Sequence, residues 1–233
     1  MDTLSRKADP RIALAVFSNA PIPGAVKTRL TPSLGPEAAA ALQRALTRKT
    51  LATAVAAAIG PVSLWCAPDQ SHSFFSDCHR EFGVSLHQQQ GAELGVRMLN
   101  TFRELLADHD GVVLIGTDCP IFRPEHLRDA ATTLVDGADA VICPAEDGGY
   151  VLVGLTVAEF GLFSGMPWGT DRVMDETRAR LRELGWHWRE LETLWDVDRP
   201  EDYERLRSTG IVSEFTLDGK HLLWTATACR SPR

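Results

Sequence analysis

Long apolar runs are missing from this 233-residue chain. The longest, Ala52–Gly60 and Val112–Gly116, fall far short of the roughly 20 residues that cross a bilayer, so no membrane contact is expected. Residues 1–10 lack the apolar stretch of a secretory signal, which points to a cytoplasmic protein. Basic charge is also scarce. The sequence has 24 Lys and Arg against 31 Asp and Glu, and a net charge of −7 argues against coating nucleic acid. The five cysteines (Cys66, Cys78, Cys119, Cys143, Cys229) form no C-x-x-C pair, so they read as small apolar residues in or near strands. None of the seven histidines lies in an H-x-x-x-H pair, and no serine sits in a G-x-S-x-G elbow, so nucleophilic hydrolase chemistry has no support. Internal repeats, long linkers and composition shifts are absent too.

What is present alternates. Apolar runs over 11–17, 62–66, 84–87, 112–115, 138–143 and 150–154 read as strands. Between them lie helical patterns: an Ala/Leu-rich stretch over 36–58, an apolar face made by Leu94, Met98, Leu99, Phe102, Leu105 and Leu106, and a helix over 124–135. A further helix carries Val173, Met174, Thr177, Leu181 and Leu184, with Thr170 as its expected cap and Gly185 as its end. Strands that are apolar throughout, separated by helices, predict a mostly parallel Rossmannoid sheet in a three-layer α/β/α sandwich. Residues 10–208 read as one domain. Residues 209–233 read as an appended hairpin around Asp218-Gly219, and its Leu222, Leu223 and Trp224 could pack against a second subunit in a homodimer.

In open parallel sheets ligands bind beyond the carboxyl ends of the strands, so polar residues just after strands are the first candidates. Charge supports the amino-terminal part, because residues 11–68 hold six basic residues and one acid. Lys27 and Arg29, in the Pro/Gly-rich loop after the first strand, suit a phosphate clamp or simply a solvated basic loop. Asp118, at the tip of the strand over 112–115, can hold Mg²⁺ or Mn²⁺ against a diphosphate, or can serve as a turn residue before Pro120. Glu146, Asp147 and the Tyr150 hydroxyl, near Trp168 and Thr170, suit a sugar or another polyhydroxylated group, although Asp147-Gly148-Gly149 also fits a plain tight turn. Asp196 could complete the metal site with Asp118. Asp198, followed by Pro200 and Glu201, also reads as a helix start. The amides of Gln88–Gln90 could meet a nucleobase edge or line a solvated loop.

Six segments in order, Ala20–Gly35, Leu94–Met98, Gly116–Pro120, Pro144–Tyr150, Trp168–Thr170 and Asp196–Asp202, resemble one family over about 12–206. It is the radical-SAM/selenodomain-associated transferase, or arsenosugar-biosynthesis glycosyltransferase, family of the nucleotide-diphospho-sugar transferase superfamily. The resemblance implies a GT-A-like fold. It implies nucleotide binding through Ala20, Pro23, Gly24, Lys27, Thr28 and Arg29 and through Gln90, Gly91, Leu94 and Gly95. It further implies a divalent metal on Asp118 with Asp196 or Asp198. Asp147, Gly148, Gly149, Tyr150, Trp168 and Thr170 become candidates for the transferred or accepting group, and Asp147 joins Lys27, Arg29 and Asp118 as a catalytic candidate. The chain departs from the family at Gly169 and Arg199, where a hydroxyl residue is usual. The Lys27-Thr28-Arg29 loop is also similar to that of molybdenum-cofactor and 2-phospholactate guanylyltransferases. The expected activity is therefore glycosyl transfer from a nucleotide-sugar to a small-molecule acceptor. The alternatives are nucleotidyl transfer with pyrophosphate release, and a non-catalytic nucleotide-binding protein.

Overall fold

Ile12, Leu14 and Val16 alternate with Ala13, Ala15 and Phe17, and all six are buried. A strand buried on both faces must lie inside a sheet covered on both sides. In the computed structural model, which describes residues 11–210, that strand is β1 (Ile12–Asn19). It is followed by β2 (Val62–Ala67), β3 (Ser85–Gln88), β4 (Gly111–Ile115), β5 (Ala140–Pro144), β6 (Tyr150–Leu155) and β7 (Trp188–Glu190). The sheet order is β3-β2-β1-β4-β6-β5-β7. Only β6 runs against its neighbours; the other pairs are parallel. The expected three-layer α/β architecture is present. The hairpin expected within 209–233 lies, beyond residue 210, outside the described residues.

The helices are α1 (Thr31–Leu34), α2 (Pro36–Ala57), α3 (Ser73–Phe82), α4 (Leu94–Leu105), α5 (Pro124–Val135), α6 (Phe160–Phe163), α7 (Val173–Glu183) and α8 (Pro200–Ser208). Leu51 and Ala54 of α2, Phe74, Phe75 and Cys78 of α3, and Leu127 and Leu134 of α5 pack on the face of β1 that carries Leu14 and Val16. Met98, Leu99 and Phe102 of α4, Leu162 and Phe163 of α6, and Met174 and Leu181 of α7 cover the face carrying Ala15 and Phe17. Each fully buried Leu or Phe side chain contributes about 1.5–3 kcal/mol, so both layers are held chiefly by this packing. Tyr203 and Leu206 of α8 pack with Trp195, Val197 and Leu30, which fastens the end of the described chain beside the first loop.

Cys66, Cys78, Cys119 and Cys143 are free and buried, as small apolar residues would be. Burial pushes each of these thiols up to about 12. Two expectations need correction. Thr170 is not the residue that flanks the helix that follows: α7 starts at Val173 behind Arg172, which makes no side-chain cap, while the Thr170 hydroxyl donates to the Pro167 carbonyl at 2.8 Å and accepts from the Arg172 N–H at 3.4 Å, just ahead of the helix. Nor does Asp198 cap α8. The acid that accepts there is Asp202, from the backbone N–H groups of Arg199 and Asp198 at 2.8 and 3.1 Å. Among the described residues no helix is long and apolar enough to cross a membrane.

Candidate active site

From β1 the chain proceeds outward through β2 and β3, then returns to place β4 on the other side of β1. Where connections diverge in this way, the loops leave a crevice above the strand tips. A cleft of about 320 Å³ lies there. Phe17, Ser18 and Asn19 from the end of β1, Thr117 and Asp118 after β4, and Tyr150 and Val151 from β6 line it, with Gln89, Leu94, Arg97 and Asp196 around them.

Its floor is polar and internally satisfied. The amide of Gln43, on α2, donates to Thr117 Oγ1 at 3.1 Å, and the hydroxyls of Ser18 and Thr47 are 3.0 Å apart. Gln89 donates from Nε2 to the carbonyls of Trp65 and Ser18 at 2.8 and 3.3 Å. Since a carbonyl can only accept, the amide orientation is fixed and Gln89 Oε1 remains an acceptor. Buried networks of this kind specify one geometry, because each unpaired member would be costly.

Lys27 comes from the loop after β1. Its side chain is 4% exposed, and Nζ reaches Asp118 Oδ1 at 2.6 Å and the Val197 carbonyl at 2.6 Å. Its backbone is left-handed, at φ 49°, a conformation costing on the order of 1 kcal/mol for a residue with a Cβ. Two strong acceptors on the ammonium offset that strain. Arg29, two residues on, pairs with Asp198. The basic loop therefore meets two of the acids expected to share its site.

Asp196 arrives by a different route. The segment after β7 runs across the strand tips: the N–H groups of Leu191 and Leu194 donate to Ile142 and Pro144, and that of Glu146 donates to Leu194. Next, Val197 N–H donates to the Asp118 carbonyl at 2.8 Å. This rung sets Asp196 beside the cleft, while Asp198 pairs with Arg29 yet stays near enough for its charge to act on Asp196. Burial, then the negative charge of Asp147 and of Asp118, pushes the Asp196 carboxyl up to about 7, against the opposing pull of Lys27.

Asp147 sits in the turn between β5 and β6 and accepts from Gly149 N–H at 2.9 Å. Gly148 has φ 89°, and a Cβ there would lie 2.2 Å from the Asp171 carbonyl oxygen. Its own carbonyl accepts from Met174 N–H at 2.8 Å, tying the turn to the start of α7. Gly148→Ala is therefore expected to cost about 2–3 kcal/mol in urea unfolding and to lower turnover as Asp147 is displaced. Glu146 points away from this corner. Arg205 holds it at 2.6 and 3.1 Å, and that hydrogen bonding keeps its carboxyl below the usual range. Tyr150 stands edge-on to Trp168, with ring centroids 6.1 Å apart, and burial pushes its phenol pKa upward.

Several of the expected nucleotide contacts are not among the residues that line the cleft. Pro23, Gly24 and Thr28 are exposed on the first loop, while Ala20 N–H is taken by the Ala67 carbonyl. Gln90 and Gly91 are exposed, and Gly91 accepts from Arg97 Nε at 2.9 Å. Gly95 is buried because a Cβ there would come within 2.7 Å of the Phe163 carbonyl and 2.9 Å of the Trp168 indole nitrogen. Leu94 does line the cleft, 43% exposed. Sequence reasoning does not single out Gln43, Ser18 or Arg97, and it names Gln89 only as one of the three amides of Gln88–Gln90. For Gln89 a signal exists. Its N–H continues the β3 ladder to the Cys66 carbonyl, so the in-and-out alternation runs one residue past the strand and turns Gln89 inward, with Gln88 and Gln90 outward.

Among the described residues no group of three or more His, Cys, Asp or Glu is assembled as a metal set. Two carboxylates do border the cleft. Mg²⁺ and Mn²⁺ take one or two carboxylates and complete their shells with phosphate oxygens and water, so Asp118 and Asp196 fit such an ion.

The sheet order, the single reversed strand and the cleft at the divergence define an α/β architecture of the nucleotide-diphospho-sugar transferase type. A protein from Desulfovibrio desulfuricans designated a nucleotide-diphospho-sugar transferase is 30% identical, with 88% of this chain and 89% of that one covered and a TM-score of 0.77. A cytidylyltransferase from Leptospira borgpetersenii shares the fold at 14% identity, covering 86% and 87%, with a TM-score of 0.60. A Mycobacterium tuberculosis protein in complex with manganese shares it at 22% identity, covering 85% and 99%, with a TM-score of 0.51. No curated protein matches the sequence. The chain belongs to the family described as "Uncharacterized protein conserved in bacteria (DUF2064)", whose model matches residues 50–170.

Proposed function

We propose that the protein is a transferase using a nucleotide-activated donor, with residues 10–208 as its transferase domain. The observation that carries this reading is the meeting of Lys27 with Asp118, at 2.6 Å, beside a cleft that Asp196 also lines. A divalent cation on Asp118 and Asp196, Mg²⁺ or Mn²⁺, would polarise the donor diphosphate there. The residues do the rest by placement. Lys27 and Arg29 moderate the charge of the acids, the Gln89 acceptor and the Ser18–Thr47–Gln43 network shape the nucleotide end, and Asp147 faces the acceptor end. Such catalysis is positioning and electrostatics, with no covalent enzyme intermediate.

Glycosyl transfer to a small acceptor in the cytoplasm is the first reading. The Tyr150–Trp168 ring pair beside Asp147 offers the apolar plane and hydrogen-bond acceptor that a sugar takes, in keeping with the resemblance to arsenosugar glycosyltransferases. Nucleotidyl transfer is favoured by one specific feature: the acid after β4 stands alone as Asp118-Cys119-Pro120 rather than as an Asp-x-Asp pair. Incubation with Mg²⁺ and panels of NTPs and nucleotide sugars decides between them. Nucleoside diphosphate release from a sugar donor supports the first, and pyrophosphate release from an NTP supports the second. Binding without either product identifies a nucleotide-binding protein.

A further inference from the structure

The basic loop after β1 is the natural first choice for gripping a polyanion, yet both of its cations are already engaged. Lys27 is buried, with Nζ on Asp118 Oδ1 and the Val197 carbonyl, and Arg29 is paired with Asp198. Neither lines the cleft. Arg97 on α4 does, and it is the only Lys or Arg among the cleft-lining residues described. Its Nε is anchored to the Gly91 carbonyl at 2.9 Å, which aims the guanidinium. Its two terminal nitrogens have no partner among the described residues. A guanidinium fixed at one nitrogen and open at the others has the two-pronged donor geometry that matches phosphate oxygens.

Resting on the transferase reading above, we propose a division of labour among the cations: Arg97 is the binding residue for the polyanionic part of the ligand, and Lys27 is a positioning residue that holds Asp118. An ammonium 2.6 Å from Asp118 Oδ1 occupies the space another cation would take at that oxygen. Lys27 therefore fixes the carboxylate and leaves its other oxygen for a metal. The clamp role expected of the Lys27–Arg29 loop passes to a residue of α4 that lines the cleft.

The test uses the full chain and two probes, inorganic pyrophosphate and Mn²⁺, each followed by calorimetry. Arg97→Gln is expected to weaken pyrophosphate binding about tenfold or more, the size of a lost charge-assisted contact, with Mn²⁺ binding unchanged. Arg97→Lys, which keeps the charge but loses the fork, is expected to recover part of the loss. Lys27→Met is expected to change pyrophosphate affinity by less than about threefold and to tighten Mn²⁺ binding about fivefold, since one positive charge beside Asp118 is gone. Arg97 is half-buried at the cleft edge, so Arg97→Gln remains informative should Lys27→Met fail to fold. Pyrophosphate binding that survives Arg97→Gln but is lost in Lys27→Met overturns the assignment. Wild-type protein that binds neither pyrophosphate nor any nucleotide would instead remove the transferase reading beneath it.

Discussion

Asp118→Asn is expected to lower metal-dependent turnover about a thousandfold, comparable with losing a main electrostatic group of an active site. The carboxylate is the one acid that both borders the cleft and touches Lys27. Asparagine preserves its shape and one acceptor but removes the charge that a hard cation needs. The fold is expected to survive. Because the Asp118 side chain is 47% exposed and Lys27 keeps the Val197 carbonyl, the loss of stability is about 1 kcal/mol. Product release with the donor panel measures the first effect and urea unfolding the second. Turnover within tenfold of wild type would remove Asp118 from the chemistry.

Asp196→Asn is expected to produce a large effect of another kind, a stability gain that depends on pH. The folded protein holds the Asp196 proton up to about pH 7, whereas the unfolded chain releases it near the ordinary value of 3.8. Folding therefore takes up a proton between these values. A carboxyl raised in the native state lowers stability progressively as pH rises from about 4 to 7, and the full cost applies above 7. Every tenfold difference in proton affinity between the folded and unfolded chain is worth about 1.4 kcal/mol, so the cost is roughly 4 kcal/mol at most. Asp196→Asn avoids it. The urea midpoint of the variant should exceed that of wild type at pH 8, and the two should converge near pH 4. Parallel curves across that range would mean that burial and the neighbouring acids do not raise the Asp196 carboxyl.

Much of the fold is legible in the sequence because its physics is local. Strands such as Val112–Ile115 are apolar at every position, which only a doubly covered sheet allows, and the long Ala-rich helix shows its propensity plainly. Short elements escape for the same reason. β7 has three residues, too few for a pattern, and α3 is marked chiefly by Phe74, Phe75 and Cys78 on one side and Gly83 at its end. Candidate acids could be found because each follows a strand. Their partners could not, since Lys27 and Val197 are 170 positions apart, and no periodicity reports a contact at that distance. Gln43 gives even less warning: it is one of several polar residues along α2, beside Arg44 and Thr47, and only the fold reveals that it faces Thr117.

The inverted strand β6 has a consequence for how such a site can change. Because β5 and β6 form a hairpin instead of a helical crossover, the turn bearing Asp147 stands on the same rim as Asp118 while belonging to a separate and very short piece of chain. Gly148 fastens that piece to the start of α7. Residues 165–172, which lead into α7, also reach back to α4, where the Trp168 indole leaves no room for a Cβ at Gly95, so a change in this segment would be felt both at the Asp147 turn and at the helix that carries Arg97.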